Sequence, residues 1–569
     1  MPVLKPASEW GHCIPPESNY GITTYAPGWD SAIKFREGDQ ALMARVVHIY
    51  PRFGPFRTVS ETLMAICAKL FTAQGLGALY FTSPEALAAV RAHATHPNRK
   101  DHVLTPDQLA YRCVDIAGVR IYLVTYPLPK TPGVIGAWQN PGVGVSIRLA
   151  EHLQANLDAL TEVDFPAGSS QPPPTSYLPE GDAHPRLRER VAGLLRCAAV
   201  DPGKVAVRSG DVFLYMTGMA AIFGAHRALL RYRPGAVVIL GIAFHSTIHY
   251  LQDASPHGYK HFGRVDEDGL DVFEAWLDER AAAGEDVSYV ITEFPSNPLL
   301  ASIDIVRLKT LSVKHNFVFI IDDTVGSFAN IDVLAHSDIL ISSLTKSFSG
   351  YANVMGGSVV LNPLSPHYGA LSPLWTSTFH NELYTGDADV LLSNSEDYLA
   401  RTAILNRNAA AMTSHLESLT KDPSSPVTRV LYPPLLPDYP LYKRFLRRST
   451  PELEEPGAGC LFSVDFESLE TARAFYNRLA FYPGPHLGAH RTLSFCYNTL
   501  AFGKDADEAA YHRTHGILEE SVRISAGLED VQDLLDTLDD ALAVANAAKE
   551  ESAKGPRTVE AAAGTGVAA

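Results

Sequence analysis

The sequence predicts an α/β protein with a mostly parallel central sheet, a smaller C-terminal α+β domain and an N-terminal α/β extension. Three observations carry this reading. The apolar runs 236–240, 289–292, 317–321, 339–341 and 358–361 alternate with helical stretches, as strands buried on both faces do. Past residue 396, a long amphipathic stretch and shorter strands break that alternation. With 569 residues, the chain is too long for a single core, so two or three domains are expected.

Taken in order, residues 1–150 form the extension. Residues 60–70 have helical spacing, and 78–82 and 121–126 read as strands. Ser83-Pro84-Glu85 should cap and open a helix through Val90, with proline tolerated in the first turn. No chemistry is visible in this part. Residues 151–175 form a linker that ends in a Pro/Ser-rich run at 168–175. The large domain spans 176–395 and the small domain 396–548, with a final helix near 531–545. The tail, 549–569, rich in Ala, Gly, Lys and Glu, is expected to be disordered.

Composition narrows the function classes. Hydrophobic content of 46% with 19% charged residues is that of an ordinary soluble protein, and the net charge of −16 disfavours nucleic acid. No apolar run approaches the roughly 20 residues that span a bilayer. The first residues lack both a signal core and the Arg-rich character of a transit peptide, so a cytoplasmic protein with no membrane partner is expected. Six cysteines without a CxxC pair predict reduced thiols and no metal site, with Cys460 and Cys496 as apolar filler.

The chemistry concentrates at two strand ends. One strand closes on Asp322; another leads through Ser343 and Thr345 to Lys346 and a Gly-containing turn. Ligands of such sheets sit outside the carboxyl ends of the strands. A Schiff-base lysine facing an aspartate that pairs with a pyridinium nitrogen is what pyridoxal phosphate (PLP) chemistry needs, and neighbouring hydroxyls suit a phosphate. Strand-end Asp and Lys residues are also common as solvated caps or ion pairs, so the spacing alone leaves both readings open.

Four blocks in order decide between them: 215–222 (YMTGMAAI), 292–300 (TEFPSNPLL), 320–357 and 522–530 (VRISAGLED). Together they resemble the PLP-dependent enzymes of cysteine and methionine metabolism, the group containing cystathionine γ-synthase, and most of all its long fungal members. An N-terminal piece, Tyr50-Pro-Arg-Phe53 after Pro27-Gly-Trp29, is similar to the fungal members too. The resemblance implies PLP-dependent transferase fold type I, the aspartate-aminotransferase-like architecture.

It also implies roles. Lys346 would carry the cofactor and shuttle protons, and Asp322 would hold the pyridine nitrogen protonated; the adjacent Asp323 is the weaker candidate. Gly218 and Met219 would offer N–H groups to the phosphate at a helix start. Asn297 would reach the cofactor's O3′, and Arg523 would clamp the substrate carboxylate through its planar fork. Three departures stand out. Phe244 occupies the place of a ring-stacking tyrosine, with His245 beside it. Tyr177 keeps the place of a tyrosine that reaches a neighbour's phosphate, but its companion arginine is missing, leaving His184, Arg186 or Arg188 as substitutes. The loop bearing His490 and Arg491 is more basic than usual, so Arg491 is a candidate for an anionic substrate.

The implied activity is γ-replacement on an O-acylated homoserine with cysteine, giving cystathionine, in a homodimer or homotetramer acting on small-molecule amino-acid substrates. The same activation with sulfide or a carbon nucleophile, or β- or γ-elimination, stays open. A non-catalytic regulatory paralogue is the reading of a different class; the intact Lys346, Asp322, Asn297 and Arg523 argue against it.

Overall fold

The computed structural model describes residues 3–16, 18–51, 53–71, 75–164, 177–503 and 505–554. The Pro/Ser-rich run at 168–175 and the tail beyond 554 lie outside them. Among the described residues the strands form three sheets.

The first sheet joins β1 (Leu76–Phe81), β2 (Ala110–Ile116), β3 (Val119–Pro127) and β4 (Thr161–Val163) in the order β1-β3-β2-β4, all antiparallel. The sequence reading placed β4 in the linker, and found β1 and β3 but not β2. Arg112 and Asp115 interrupt its apolar pattern, and its hairpin turns on Ala117 and Gly118 at φ 47° and 82°. Both central positions in the left-handed region fit a type I′ turn, usually signalled by Asn-Gly and here by an uninformative Ala-Gly. The helix Pro84–Ala94 starts where expected, but the Ser83 side chain makes no capping bond; Pro84 at the first position fixes the start instead.

The central sheet contains β5 (Val212–Tyr215), β6 (Ala236–Leu240), β7 (Tyr259–Phe262), β8 (Val287–Glu293), β9 (Val318–Asp322), β10 (Ile339–Ser342) and β11 (Gly357–Leu361). Its order is β5-β11-β10-β9-β8-β6-β7, parallel from β10 to β7 and with β11 antiparallel to both neighbours. Alternate side chains fill opposite cores, which explains the continuous apolar runs. Val238, Val290, Phe319 and Ile321 face the helices Glu267–Ala282 and Ile305–His315; Val237, Tyr289, Ile291 and Ile320 face the helix Gly218–Tyr232.

The third sheet, β12 (Val427–Leu431), β13 (Leu461–Phe466), β14 (Tyr482–Pro483), β15 (Leu493–Phe495) and β16 (Ser521–Ser525), has the order β12-β13-β16-β15-β14. The helices Leu469–Arg478 and Val531–Ala553 pack together beside it. The last helix runs past the expected end at Ala545 to Ala553, into the stretch read as tail.

The chain ahead of Arg57 takes a course that the sequence did not reveal. It lies along the C-terminal part of the molecule: Leu4 N–H donates to Thr537 Oγ1 (3.0 Å), Trp29 N–H to Asn477 Oδ1 (2.8 Å), and Arg36 Nη1 to Thr499 O (2.6 Å). Trp29 is fully buried in the large core. No helix among the described residues is long and apolar enough to cross a membrane.

Candidate active site

An open cavity of about 860 Å³ lies at the carboxyl ends of the central strands. Lys346 and Ser343 reach it from the loop after β10, Asp322 from the end of β9, Glu293 from the end of β8, and Arg523 from β16. The loop carrying Lys346 is held firmly. Buried Arg401 donates to the carbonyls of Ser347 (3.0 Å), Phe348 (3.1 Å) and Asn394 (2.8 Å). Gly488, at φ 73°, lets the facing loop approach: a Cβ there would sit 2.5 Å from Ser347 N.

Asp322 accepts from Thr324 N–H at 3.0 Å, and Ser343 N–H donates to Thr324 Oγ1 at 2.8 Å, so Thr324 ties the two strand ends together. Glu293 accepts from the N–H groups of Phe244 (2.6 Å) and Asn297 (3.1 Å) and thereby fixes two cavity walls. Burial raises the pKa of both carboxyls, and in Glu293 the negative charge of Asp322 adds to it. Asp323 is buried and does not line the cavity, and burial pushes its carboxyl up to about 7.

At the opposite wall, the helix Gly218–Tyr232 begins. Thr217 caps it by accepting from Ala220 N–H at 2.9 Å, while the N–H groups of Gly218 and Met219 have no intrahelical partner, as at any helix start. Gly218 packs so closely that an added Cβ would come within 2.7 Å of Ser343 Cβ. The result is a backbone cradle flanked by the Ser343 hydroxyl, a fit for a phosphate.

Arg523 is buried, and its guanidinium lies 4.4 Å from the Tyr497 ring. Nη1 donates to Asn297 Oδ1 (3.1 Å) and Nη2 to Pro485 O (2.5 Å), which aims the fork at the cavity. Close by, His486 is 1% exposed, and neither ring nitrogen has a partner among the described residues. Burial, then the charges of Lys346 and Arg523, depress its pKa well below the usual histidine range and keep the ring neutral.

Tyr50 is the residue that the sequence reading left without a role. Its hydroxyl accepts from Lys346 Nζ at 3.0 Å, and Nζ lies 4.9 Å from its ring centre. The stretch 50–53 had marked only a family likeness. Thr324, Glu293, Tyr497 and His486 were likewise unassigned; Glu293 and Thr324 sit inside matched blocks, whereas nothing local singled out Tyr497 or His486.

Of the expected site residues, Lys346, Asp322, Phe244, Gly218, Met219, Asn297, Ser343, Thr345 and Arg523 all line this cavity. Two expectations need correcting, those for Thr345 and Arg491. The Thr345 hydroxyl donates to Gly356 O (3.1 Å) and accepts from Gly356 N–H (3.0 Å), so its only hydrogen is committed to the fold rather than to a phosphate. Arg491 does not reach the cavity; its Nε points to Pro15 O at 3.5 Å, beside the His490 Nε2 contact to the same oxygen (2.6 Å). Tyr177 is outside the cavity of its own chain, 49% exposed and stacked on His380 with ring centres 4.3 Å apart. Of the proposed stand-ins for its missing arginine, buried His184 contacts Leu383 O (3.0 Å) and Arg188 pairs with Glu180 (2.6 Å), while Arg186 is exposed.

Comparison with known proteins places this geometry. The family model described as Cys/Met metabolism PLP-dependent enzyme matches residues 206–543. The chain is 35% identical over 441 residues to a protein named alanine racemase ungC of Aspergillus violaceofuscus, covering 75% of this chain and 74% of that one. It is 31% identical to the cystathionine gamma-synthase-like enzyme iboG2 of Amanita muscaria, over 94% of this chain and 96% of that one. In fold it is similar to the crystal structure of cystathionine gamma synthase from Xanthomonas oryzae pv. oryzae in complex with aminoacrylate and cysteine, with a TM-score of 0.52 at 22% identity, covering 68% of this chain and 92% of that one.

Proposed function

The chain belongs to the Cys/Met metabolism PLP-dependent enzyme family, and from that premise we propose that it catalyses γ-replacement on an O-acylated homoserine with cysteine. The observation that carries the proposal is the convergence of Lys346, Asp322, Arg523 and the Gly218 cradle on one cavity. When bound, PLP supplies an electron sink conjugated to the substrate's amino group, which acidifies the Cα–H and then the Cβ–H bond.

The chain's own residues supply the rest. The N–H groups of Gly218 and Met219 and the Ser343 hydroxyl would hold the phosphate. The Asp322 carboxylate would keep a proton on the pyridine nitrogen, and Phe244 would pack against the ring face. Asn297, whose oxygen already accepts from Arg523, has its amide hydrogens left for the cofactor's O3′. Arg523 would pair with the substrate carboxylate. The Lys346 amino group, once freed, would take the proton from Cα and pass it on, and so be free to take one from Cβ as the Cγ–O bond breaks and the acyl group departs as its carboxylate; after the thiol sulfur loses its proton and bonds to Cγ, the lysine would return protons to Cβ and Cα.

A second reading is racemisation of a small amino acid, which the likeness to the protein named alanine racemase ungC favours. It needs only the Cα proton to be removed and replaced on the other face. Incubation with O-acetyl- or O-succinylhomoserine plus cysteine should give cystathionine by mass. D-alanine formed from L-alanine, with no cystathionine from either ester, would move the assignment to racemisation.

A further inference from the structure

We infer that Tyr50, far ahead of the family-matched residues 206–543, is a functional part of the site: its hydroxyl positions the Lys346 amino group and holds its proton. The inference deepens the PLP reading and rests on it.

The contact is a built one. Tyr50 is 7% exposed although its hydroxyl reaches the cavity. Its N–H donates to Thr24 Oγ1 (3.2 Å), and that hydroxyl in turn donates to His48 O (2.9 Å). Its ring meets Phe53 edge-on at 5.7 Å, and Phe53 lies 6.3 Å from Phe495 of β15. The tyrosine is therefore fixed by its own segment and by the C-terminal sheet, with Lys346 at the end of the frame.

The chemistry fits that placement. A lysine that shuttles protons must be held near the reacting carbon in both protonation states. A phenol suits both, since it accepts from an ammonium and donates to an amine. Phe244, at the ring-stacking place, has no hydroxyl to offer, and among the described residues Tyr50 is the one phenol lining the cavity. The ring adds a cation–π contact that favours the charged amine.

The test is Tyr50→Phe in the PLP-loaded protein, a change that keeps the ring and its packing. In the present geometry Nζ donates to the hydroxyl, a contact that the change removes. Exchange of the substrate's α-hydrogen with deuterated water should slow at least about tenfold, with KM within about threefold of the parent. An unchanged exchange rate, alongside a normal borohydride-fixed adduct on Lys346 in both proteins, overturns the inference alone. Absence of that adduct in the unaltered protein overturns the PLP reading and this inference with it.

Discussion

Arg523 Nη1 donates to Asn297 Oδ1 at 3.1 Å, a bond between β16 of the C-terminal sheet and the loop after β8 of the central sheet. It fixes the arginine fork and the amide in a single arrangement. Asn297 N–H is in turn bound by Glu293, so strand end, amide and guanidinium form one chain of contacts.

Arg523→Lys should therefore raise KM for the amino-acid substrate while leaving cofactor absorbance in place. Lysine keeps the charge but loses the planar fork, a cost of about 1–3 kcal/mol in substrate binding. Steady-state kinetics beside an absorbance spectrum decides it; an unchanged KM would make Arg523 a purely structural residue.

Lys346→Ala should abolish turnover in a protein that stays folded and still binds PLP weakly through the Gly218 cradle and Ser343. The lysine supplies covalent and proton-transfer chemistry, whereas the cradle supplies ground-state contacts. Equilibrium dialysis and a turnover assay test this, and normal activity in the variant would end the PLP reading.

Gly218→Ala should weaken PLP binding and destabilise the fold by about 1–3 kcal/mol, the scale of overpacking. The new methyl would come within 2.7 Å of Ser343 Cβ, with Gly357 packed behind the same turn. Thermal melts of the cofactor-free protein separate the stability effect from the binding effect.

Tyr177→Phe tests whether active sites are shared between subunits. Tyr177 is exposed and outside its own cavity, as a residue that reaches into a neighbour's site would be. The variant should bind PLP more weakly, and mixing it with Lys346→Ala protein should restore some activity through hybrid sites in a dimer or tetramer. A fully active monomer in sedimentation at working concentration would refute the shared site.

Acid should destabilise the protein through His226. Its ring contacts Tyr289 OH (2.7 Å) and Ala254 O (2.9 Å) in the core, and burial lowers its pKa to about 4. The unfolded chain, with a histidine near 6.5, binds the proton first. Stability is therefore whole above about pH 6.5 and falls as pH drops toward 4, by about 2 kcal/mol between pH 7 and pH 5. Urea melts across that range should show this slope, and His226→Gln should flatten it by about one proton.

The sequence by itself determined the central sheet, because a parallel strand covered on both faces writes its burial into a continuous apolar run. It also marked Asp322 and Lys346, because strand ends are read from those same runs, and pointed to the Gly218 turn through the family resemblance. Only the tertiary structure decided what meets Lys346. Tyr50 lies 296 positions away, and its place depends on packing of the N-terminal segment against the C-terminal sheet, which no local pattern encodes. The same holds for the Thr345 hydroxyl, consumed by Gly356, and for Arg491, turned toward Pro15. Local periodicity specifies which elements form; which side chains remain available for chemistry depends on contacts distant in the chain.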